Sequence, residues 1–593
     1  MCGIIGYAGG RDTAEVLLNG LKKLEYRGYD SAGIALAAPK KIDIYKKQGK
    51  VAALEENIPP SAQKIFAGIG HTRWATHGAP EDRNAHPHRC GKVVLVHNGI
   101  IENEQELRAE LAKKGLTPTS DTDTELIAML LAQFYEKEPR TAIRKTCALL
   151  EGSYALGILF EDQPGKIYAI RRNSPLIIGK GEQENFIASD IPAILKYTRS
   201  YYLPEEGELA EITKDEILFF DAADQPIEKT LATADWDEQA ARKAGYDHFM
   251  AKEIAEQPEV VRETIRRYLK NGILFEELGN SFKVAGTLRI VACGSAYHAG
   301  LLGKQIIEKL ARIPVEVSLA SEFRYADPLL TKEDLVVAIS QSGETADTLA
   351  ALRLAKAKEV PTLGIVNVRG STVAREADQV LYTAAGPEIS VATTKAYTCQ
   401  VVMLYLLALR LAQHWLDGAD LENYVNQVEA LPALLEKTLS CAAQCKEIAK
   451  DFASAEHLFF IGRGQDYAVC CEGSLKLKEI SYIHSEAYAA GELKHGTISL
   501  IEEGTPVIAI ATDRARLPKI AANIREVRAR GARVLGIGYP TEDGKTISLP
   551  QCPDFTAPIA AAVVCQMLAY HVAVARGNDV DQPRNLAKSV TVE

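Results

Sequence analysis

The stretches LRIVACGSA (Leu288–Ala296) and HLFFIGRGQ (His457–Gln465) each pass from an apolar, strand-like segment into a glycine turn and on into a helical pattern. That order is what a helix-covered parallel sheet demands, because parallel neighbours need a crossover between them. The echo continues downstream: VVAISQSG (Val336–Gly343) pairs with VIAIATD (Val507–Asp513), and LGIVN (Leu363–Asn367) with LGIG (Leu535–Gly538). All three offsets are about 170 residues, so the sequence predicts a duplicated α/β domain rather than one large sheet. The two copies are expected over 258–430 and 431–577, followed by a tail over 578–593.

Upstream of the repeat the pattern differs. KVVLVHNGII (from Lys92), YALGILF (from Tyr154) and KIYAIRR (from Lys166) read as short strands, and DTDTELIAMLLAQF (from Asp121) as a helix. This mixture predicts a layered α+β domain over 2–220. The polar stretch after Ala234, DWDEQAARKAGYDHFMAKEIAEQ, lacks long apolar runs, so 221–257 is expected to be a linker.

Composition removes several classes. At 593 residues, three to five domains are expected, and 47% hydrophobic with 25% charged residues is the balance of a packed globular chain. The net charge of -10 opposes binding to phosphate backbones or anionic lipid, so neither nucleic acid nor membrane is expected as a partner. The apolar runs from Val401 and Ile559 are interrupted by Arg410, or by Gln566 and His571, and read as buried helices. Eleven cysteines without paired CxxC modules read as thiols of a reducing compartment, and the start MCGIIGYAGG has no basic leader, so a cytoplasmic location is expected.

Cys2 is the first candidate for chemistry. With Met1 removed, one residue would carry a thiol and a free amine, with intrinsic pKa values of about 8.5 and 7.7–8.0. The amine can then act as base for its own side chain. In HTRWATHG (His71–Gly78), Arg73 is suited to a bidentate grip on a carboxylate, or is a surface arginine. HNGIIEN (from His97) offers Asn98 and Gly99, a side-chain amide and a flexible backbone N–H, the donors of an oxyanion hole, or else a hairpin turn. In SDTDTE (from Ser120), Asp123 either caps the helix or binds an ammonium group. The histidines at 71, 77, 86, 88 and 97, with Cys90 nearby, lack the spacing of a zinc site and are expected to pack in loops.

In the repeat, SQSGETADT (from Ser340) places hydroxyls and backbone N–H groups between a strand and a helix, which suits a phosphate or an ordinary helix cap. No Walker spacing accompanies it. Glu472, Lys476 and Glu479 stand at i, i+4 and i+7 and share a helix face, either as a surface ion-pair ladder or, in a cleft, as a proton-moving group served by His495.

Taken together, Cys2, LEYRGYDSAGIA (from Leu24), HTRWATHG, HNGIIEN and SDTDTE resemble the glutaminase domain of the N-terminal-nucleophile amidotransferases. The repeat resembles tandem sugar-isomerase (SIS) domains, and DQPRNLAKSVTVE matches the closing signature of the isomerising glutamine:fructose-6-phosphate aminotransferases. The resemblance implies a four-layer αββα domain followed by two doubly wound parallel-sheet SIS domains. It also implies that Cys2 attacks glutamine, that Arg73, Thr76, His77 and Asp123 hold it, that Asn98 and Gly99 stabilise the oxyanion, and that Trp74 gates ammonia. Ser340, Gln341, Ser342, Thr345 and Val391 would hold the sugar phosphate, with Ser295 standing in where Ala296 replaces a serine common in the family. Lys588 would form a Schiff base at carbon-2, Glu479 would move a proton from carbon-1 to carbon-2 with Lys476 and Glu472 in support, and His495 would open the sugar ring. Lys588 needs docking that lowers its pKa, so the tail is expected to be ordered in the site. The resemblance further implies glutamine and fructose 6-phosphate as substrates, no metal or organic cofactor, and a homodimer.

Overall fold

The computed structural model describes residues 2–59, 65–75, 77–234, 243–270, 273–275, 278–279, 283–413, 415–540 and 545–591. The chain forms two units, Met1–Ala241 with Ala587–Glu593, and Arg242–Leu586.

The first unit is built on two antiparallel sheets. In the eight-stranded sheet Gly3–Ala8 lies between Asn185–Ala188 and Ala67–Arg73; in the seven-stranded sheet Val93–Ile101 pairs with Gly152–Phe160. Side chains alternate across each strand, and here both faces are buried. Ile4 and Ile69 of one sheet meet Val94, Val96 and Ala155 of the other in a shared core. Ile5 and Tyr7 point the opposite way onto Leu17, Leu21 and Leu24 of helix Thr13–Leu24. Val93, Leu95, Leu156 and Ile158 pack beneath Leu126, Leu130 and Ile143 of helices Asp123–Phe134 and Pro139–Cys147. The layers therefore run α, β, β, α, as the resemblance implied.

Strands Pro226–Ile227 and Ala232–Thr233 extend these sheets, and helices Phe249–Ala255 and Gln257–Tyr268 open the second unit, so the stretch 221–257 carries structure on both sides of the unit boundary.

The second unit contains two five-stranded parallel sheets of the same strand order, 2-1-3-4-5. In the first copy Leu288–Ala292 lies between Val315–Leu319 and Leu335–Ser340; in the second His457–Gly462 lies between His484–Ala489 and Pro506–Ala511. The paired motifs occupy matching strands, which is the duplication read from the sequence. Such sheets bind ligands beyond the carboxyl ends of their strands, where the order reverses. Helices Lys395–Ala412 and Ala557–Ala575 are long and apolar enough to cross a membrane, but 100% and 83% of their apolar windows are buried. They form part of one apolar cluster drawing on both parallel sheets.

Candidate active sites

In the first unit, three strand ends bring a site together. Cys2 precedes strand Gly3–Ala8, Arg73 closes the neighbouring strand and is followed by Trp74, and Asn98 and Gly99 lie near the end of Val93–Ile101 in the second sheet. The half-buried Cys2 thiol receives the Trp74 N–H (N to Sγ 3.3 Å) and lies 3.6 Å from the Trp74 carbonyl oxygen. Burial pushes the thiol above its ordinary value, while the Trp74 N–H and the Arg73 guanidinium pull it down. Met1 and Thr76 lie outside the described residues.

The Cys2 carbonyl accepts from Asn98 Nδ2 at 3.0 Å and from Arg27 Nε at 3.3 Å. Arg27 is itself buried and paired with Asp190 at 2.9 Å. Gly99 has φ of +139°, and a Cβ there would stand 2.0 Å from the Ser153 carbonyl oxygen, so only glycine fits.

Arg73 is buried, not at the surface. Its guanidinium donates to the carbonyls of His77, Gly78 (2.9 Å) and Ala79 (3.2 Å). Asp123 does not cap its helix: Thr122 does, accepting from the Glu125 N–H. Asp123 Oδ2 instead accepts from the Ile101 N–H at 3.0 Å, tying the helix start to the Asn98 strand. His77 is half-buried beside Arg73.

The histidines form a buried layer behind Asn98. His71 stacks on His86 with ring centres 4.0 Å apart, and His86 meets His88 edge-on at 5.0 Å. His88 Nε2 lies 3.1 Å from Thr122 Oγ1, and His97 Nδ1 lies 3.0 Å from Thr124 Oγ1. Burial lowers the pKa of all four, so the layer is neutral at physiological pH. Among the described residues no group of three His, Cys, Asp or Glu side chains is placed to hold a metal ion.

In the second unit, SQSGETADT forms a compact turn at the carboxyl end of strand Leu335–Ser340. Ser340 Oγ lies 2.9 Å from Thr345 Oγ1 and accepts from the Gly343 N–H at 3.0 Å, while Ser342 Oγ accepts from the Glu344 N–H. Thr345 sits at the helix cap position but makes no capping bond. Gly343 has φ of +65°, with Ser371 Oγ 2.0 Å from where a Cβ would be. Gln341 is half-buried on the same turn, and Val391 is buried with its N–H donating to the Asp581 carbonyl.

Helix Gln465–Ser481 settles the alternative left open for its charged face. Glu472 and Lys476 side chains are each 1% exposed and Glu479 is half-buried, so the three charges form a largely buried cluster rather than a surface ladder. Lys476 Nζ is 2.5 Å from Glu479 Oε2 and 3.6 Å from Glu472 Oε1. Burial works against the ammonium, but the carboxylates of Glu479 and Glu472 more than offset it, and Lys476 is held above the usual lysine range.

The first copy completes this cluster. Ser295 Oγ donates to Glu472 Oε1 at 2.8 Å and His298 Nδ1 to Glu472 Oε2 at 2.9 Å, both from the first turns of helix Gly294–Ala311. Ser295 thus spends its hydroxyl on a carboxylate, and His298, which the sequence reading passed over, matches it on the other oxygen. Its only sequence signal is the i, i+3 spacing from Ser295, which puts both on one helix face.

His495 ends the short 3-10 helix Glu492–His495 and is exposed. The tail through Leu586 is anchored on helix Gln465–Ser481: Asn578 Nδ2 donates to the Ile480 carbonyl, the Arg584 N–H to Tyr482 Oη, and the Arg584 guanidinium covers the Tyr482 ring. From Ala587 the chain belongs to the first unit, and half-buried Lys588 with it.

Residues 71–196 match the glutamine amidotransferase domain family, and 281–410 and 451–576 each match the SIS domain family. The chain is 50% identical over 609 residues to the glutamine-fructose-6-phosphate aminotransferase (isomerizing) of Symbiobacterium thermophilum and 48% identical over 608 residues to that of Clostridium tetani, each comparison covering 100% of both chains. It also resembles the solved C-terminal domain of glucosamine-fructose-6-phosphate aminotransferase from Francisella tularensis, with TM-score 0.56 and 40% identity over 58% of this chain and 100% of that one. This chain belongs to the family of isomerizing glutamine-fructose-6-phosphate aminotransferases.

Proposed function

We propose that this enzyme transfers the amide nitrogen of glutamine to fructose 6-phosphate and isomerises the product to glucosamine 6-phosphate, releasing glutamate. The observation that carries the reading is that relatives named for this reaction cover the chain from end to end, on a sequence that supplies both a chain-start cysteine beside an oxyanion-type amide and a buried proton-handling cluster.

In the first unit Cys2 attacks the glutamine side-chain amide. Its thiol proton passes to the freed α-amine and on to the leaving nitrogen, which departs as ammonia, and water hydrolyses the thioester. The Asn98 amide and the Gly99 N–H face the tetrahedral oxyanion. Arg73, Thr76, His77 and Asp123 hold the amino-acid portion, and Trp74 gates the ammonia.

In the second unit Ser340, Gln341, Ser342 and Thr345 bind the phosphate, Val391 lines the sugar, and His495 opens the ring. Lys588, carried on the chain's tail, forms a Schiff base at carbon-2 that ammonia displaces. Glu479 then takes a proton from carbon-1 and returns it to carbon-2, its carboxylate fixed by Lys476, which Glu472 holds in turn. Ammonia in neutral water is mostly protonated and unreactive, so passing it internally through a dry path preserves the nucleophile. We further propose a cytoplasmic homodimer; eleven free thiols accord with a reducing compartment.

Incubation with glutamine and fructose 6-phosphate tests the reading. Amino sugar and glutamate are expected in equal amounts. Glutamate without amino sugar contradicts it, and would favour a sugar-phosphate sensor on the second unit.

A further inference from the structure

An asparagine amide presents two faces of nearly the same shape, one donating and one accepting, and only the NH2 face stabilises an oxyanion. In this site a neighbouring histidine settles which face reaches Cys2. His71 Nε2 lies 3.0 Å from the carbonyl oxygen of His97 and 3.1 Å from Asn98 Oδ1. A backbone carbonyl only accepts, so Nε2 carries the hydrogen and donates to both oxygens. The other ring nitrogen, Nδ1, is buried without a hydrogen-bond partner among the described residues, which accords with the unprotonated position. With Oδ1 held from behind, Asn98 Nδ2 faces Cys2, where it donates to the Cys2 carbonyl at 3.0 Å. The stack on His86 fixes the ring plane.

We propose that His71 is a positioning residue for glutamine hydrolysis, setting the orientation of the Asn98 amide through its Nε2–H. The proposal rests on the reading of Asn98 as oxyanion donor. Without His71 the amide is free to rotate and turn Oδ1 toward a developing negative charge.

The test uses the full chain and two polar replacements. His71→Gln places an amide N–H2 near the former Nε2; His71→Asn reaches only the former Nδ1. The structure predicts that H71N lowers kcat for glutamine hydrolysis by about 10²-fold, the scale of losing one oxyanion donor. KM for glutamine, inhibition by glutamate and alkylation of Cys2 by iodoacetamide are expected to stay at wild-type values, and H71Q to recover most of kcat. Glutamate γ-semialdehyde gives a readout that a merely structural role would not move. The Cys2 sulfur adds to the aldehyde carbon and the carbonyl π pair moves to oxygen, which takes the thiol proton. H71N should weaken this inhibitor but not glutamate. Amino-sugar formation from added ammonia by the same preparation checks that the rest of the chain is folded. In an Asn98→Ala background H71N should cost nothing further, since the effect runs through Asn98. If N98A leaves kcat unchanged, the oxyanion reading fails. If N98A lowers kcat while H71N does not, or if H71N and H71Q are equally impaired, the role of His71 alone is overturned.

Discussion

Buried Arg27, Arg73 and Asp123 stand near Cys2, but the polar groups packed behind Asn98 are neutral. A layer of four histidines, kept uncharged by burial, stands behind an amide that donates toward the nucleophile. Around Lys476 they are ions: an ammonium between two carboxylates, with a hydroxyl and an imidazole satisfying the far one. The contrast follows from the chemistry each site is assigned. Acyl transfer develops negative charge briefly, so fixed dipoles and the nearby Arg73 guanidinium serve it. Moving a proton between carbons needs a carboxylate that is already charged, and a buried carboxylate survives only when paired and hydrogen-bonded.

The largest expected effects separate the two sites outright. Cys2→Ala should abolish glutamate release and glutamine-dependent synthesis while sparing synthesis from ammonium salt; loss of both activities would break the division of labour. Next, Glu479→Gln keeps shape and removes the base. Synthesis from either nitrogen source should fall by about 10²–10⁴-fold, the usual worth of general acid–base catalysis, while glutamine hydrolysis continues. Uptake of solvent deuterium into the product should fall with it, and unchanged deuterium uptake would remove Glu479 from its role.

Smaller effects sharpen the electrostatic contrast. His298→Leu leaves one oxygen of buried Glu472 without its donor, and should cost about 1–3 kcal/mol in urea unfolding of the second unit. An unaltered midpoint would mean that the contact carries no weight.

The pH dependence of stability should also differ. The histidines have depressed pKa values in the folded state, so their contribution is present above the unfolded value of about 6.5 and is lost as pH falls below it. Lys476 is raised, so its contribution is complete below about 10.4 and is lost only at strongly alkaline pH. Unfolding of the first unit should therefore become easier between pH 6.5 and 5, by about 1–2 kcal/mol for each histidine that stays neutral, with no such step from Lys476. Replacing His86 with Phe should shrink that step, and an unchanged step would mean that the layer titrates normally.

The duplication was legible because strand, glycine turn and helix recur in order, and local pattern suffices to place them. The acyl-transfer residues were legible as types, since Cys2, Asn98 and Gly99 bear their chemistry wherever they lie. Their partners were not. His71 reaches Asn98 only because two different sheets bring their strands together, and a list of histidines reads equally well as loop packing. His298 and Ser295 meet Glu472 across 174 and 177 residues, through contact between the two copies. Ser295 read as a phosphate ligand by analogy with the missing hydroxyl at Ala296, yet its partner is a carboxylate from the other copy. For Glu472, Lys476 and Glu479 spacing fixes a shared face but not whether that face is wet, and burial decides it. The polar composition of 221–257 suggests a linker, and within it helix Phe249–Ala255 buries Met250 and Ile254, whose spacing is too short a signal to read alone.

The most direct test of the coupled account is isotopic. Glutamine labelled with nitrogen-15 in its amide is supplied with fructose 6-phosphate in buffer containing excess unlabelled ammonium, and the product is weighed by mass spectrometry. Glucosamine 6-phosphate carrying the heavy nitrogen is expected. Product carrying the solvent's nitrogen instead would contradict internal transfer, and with it the claim that the two units work as one enzyme.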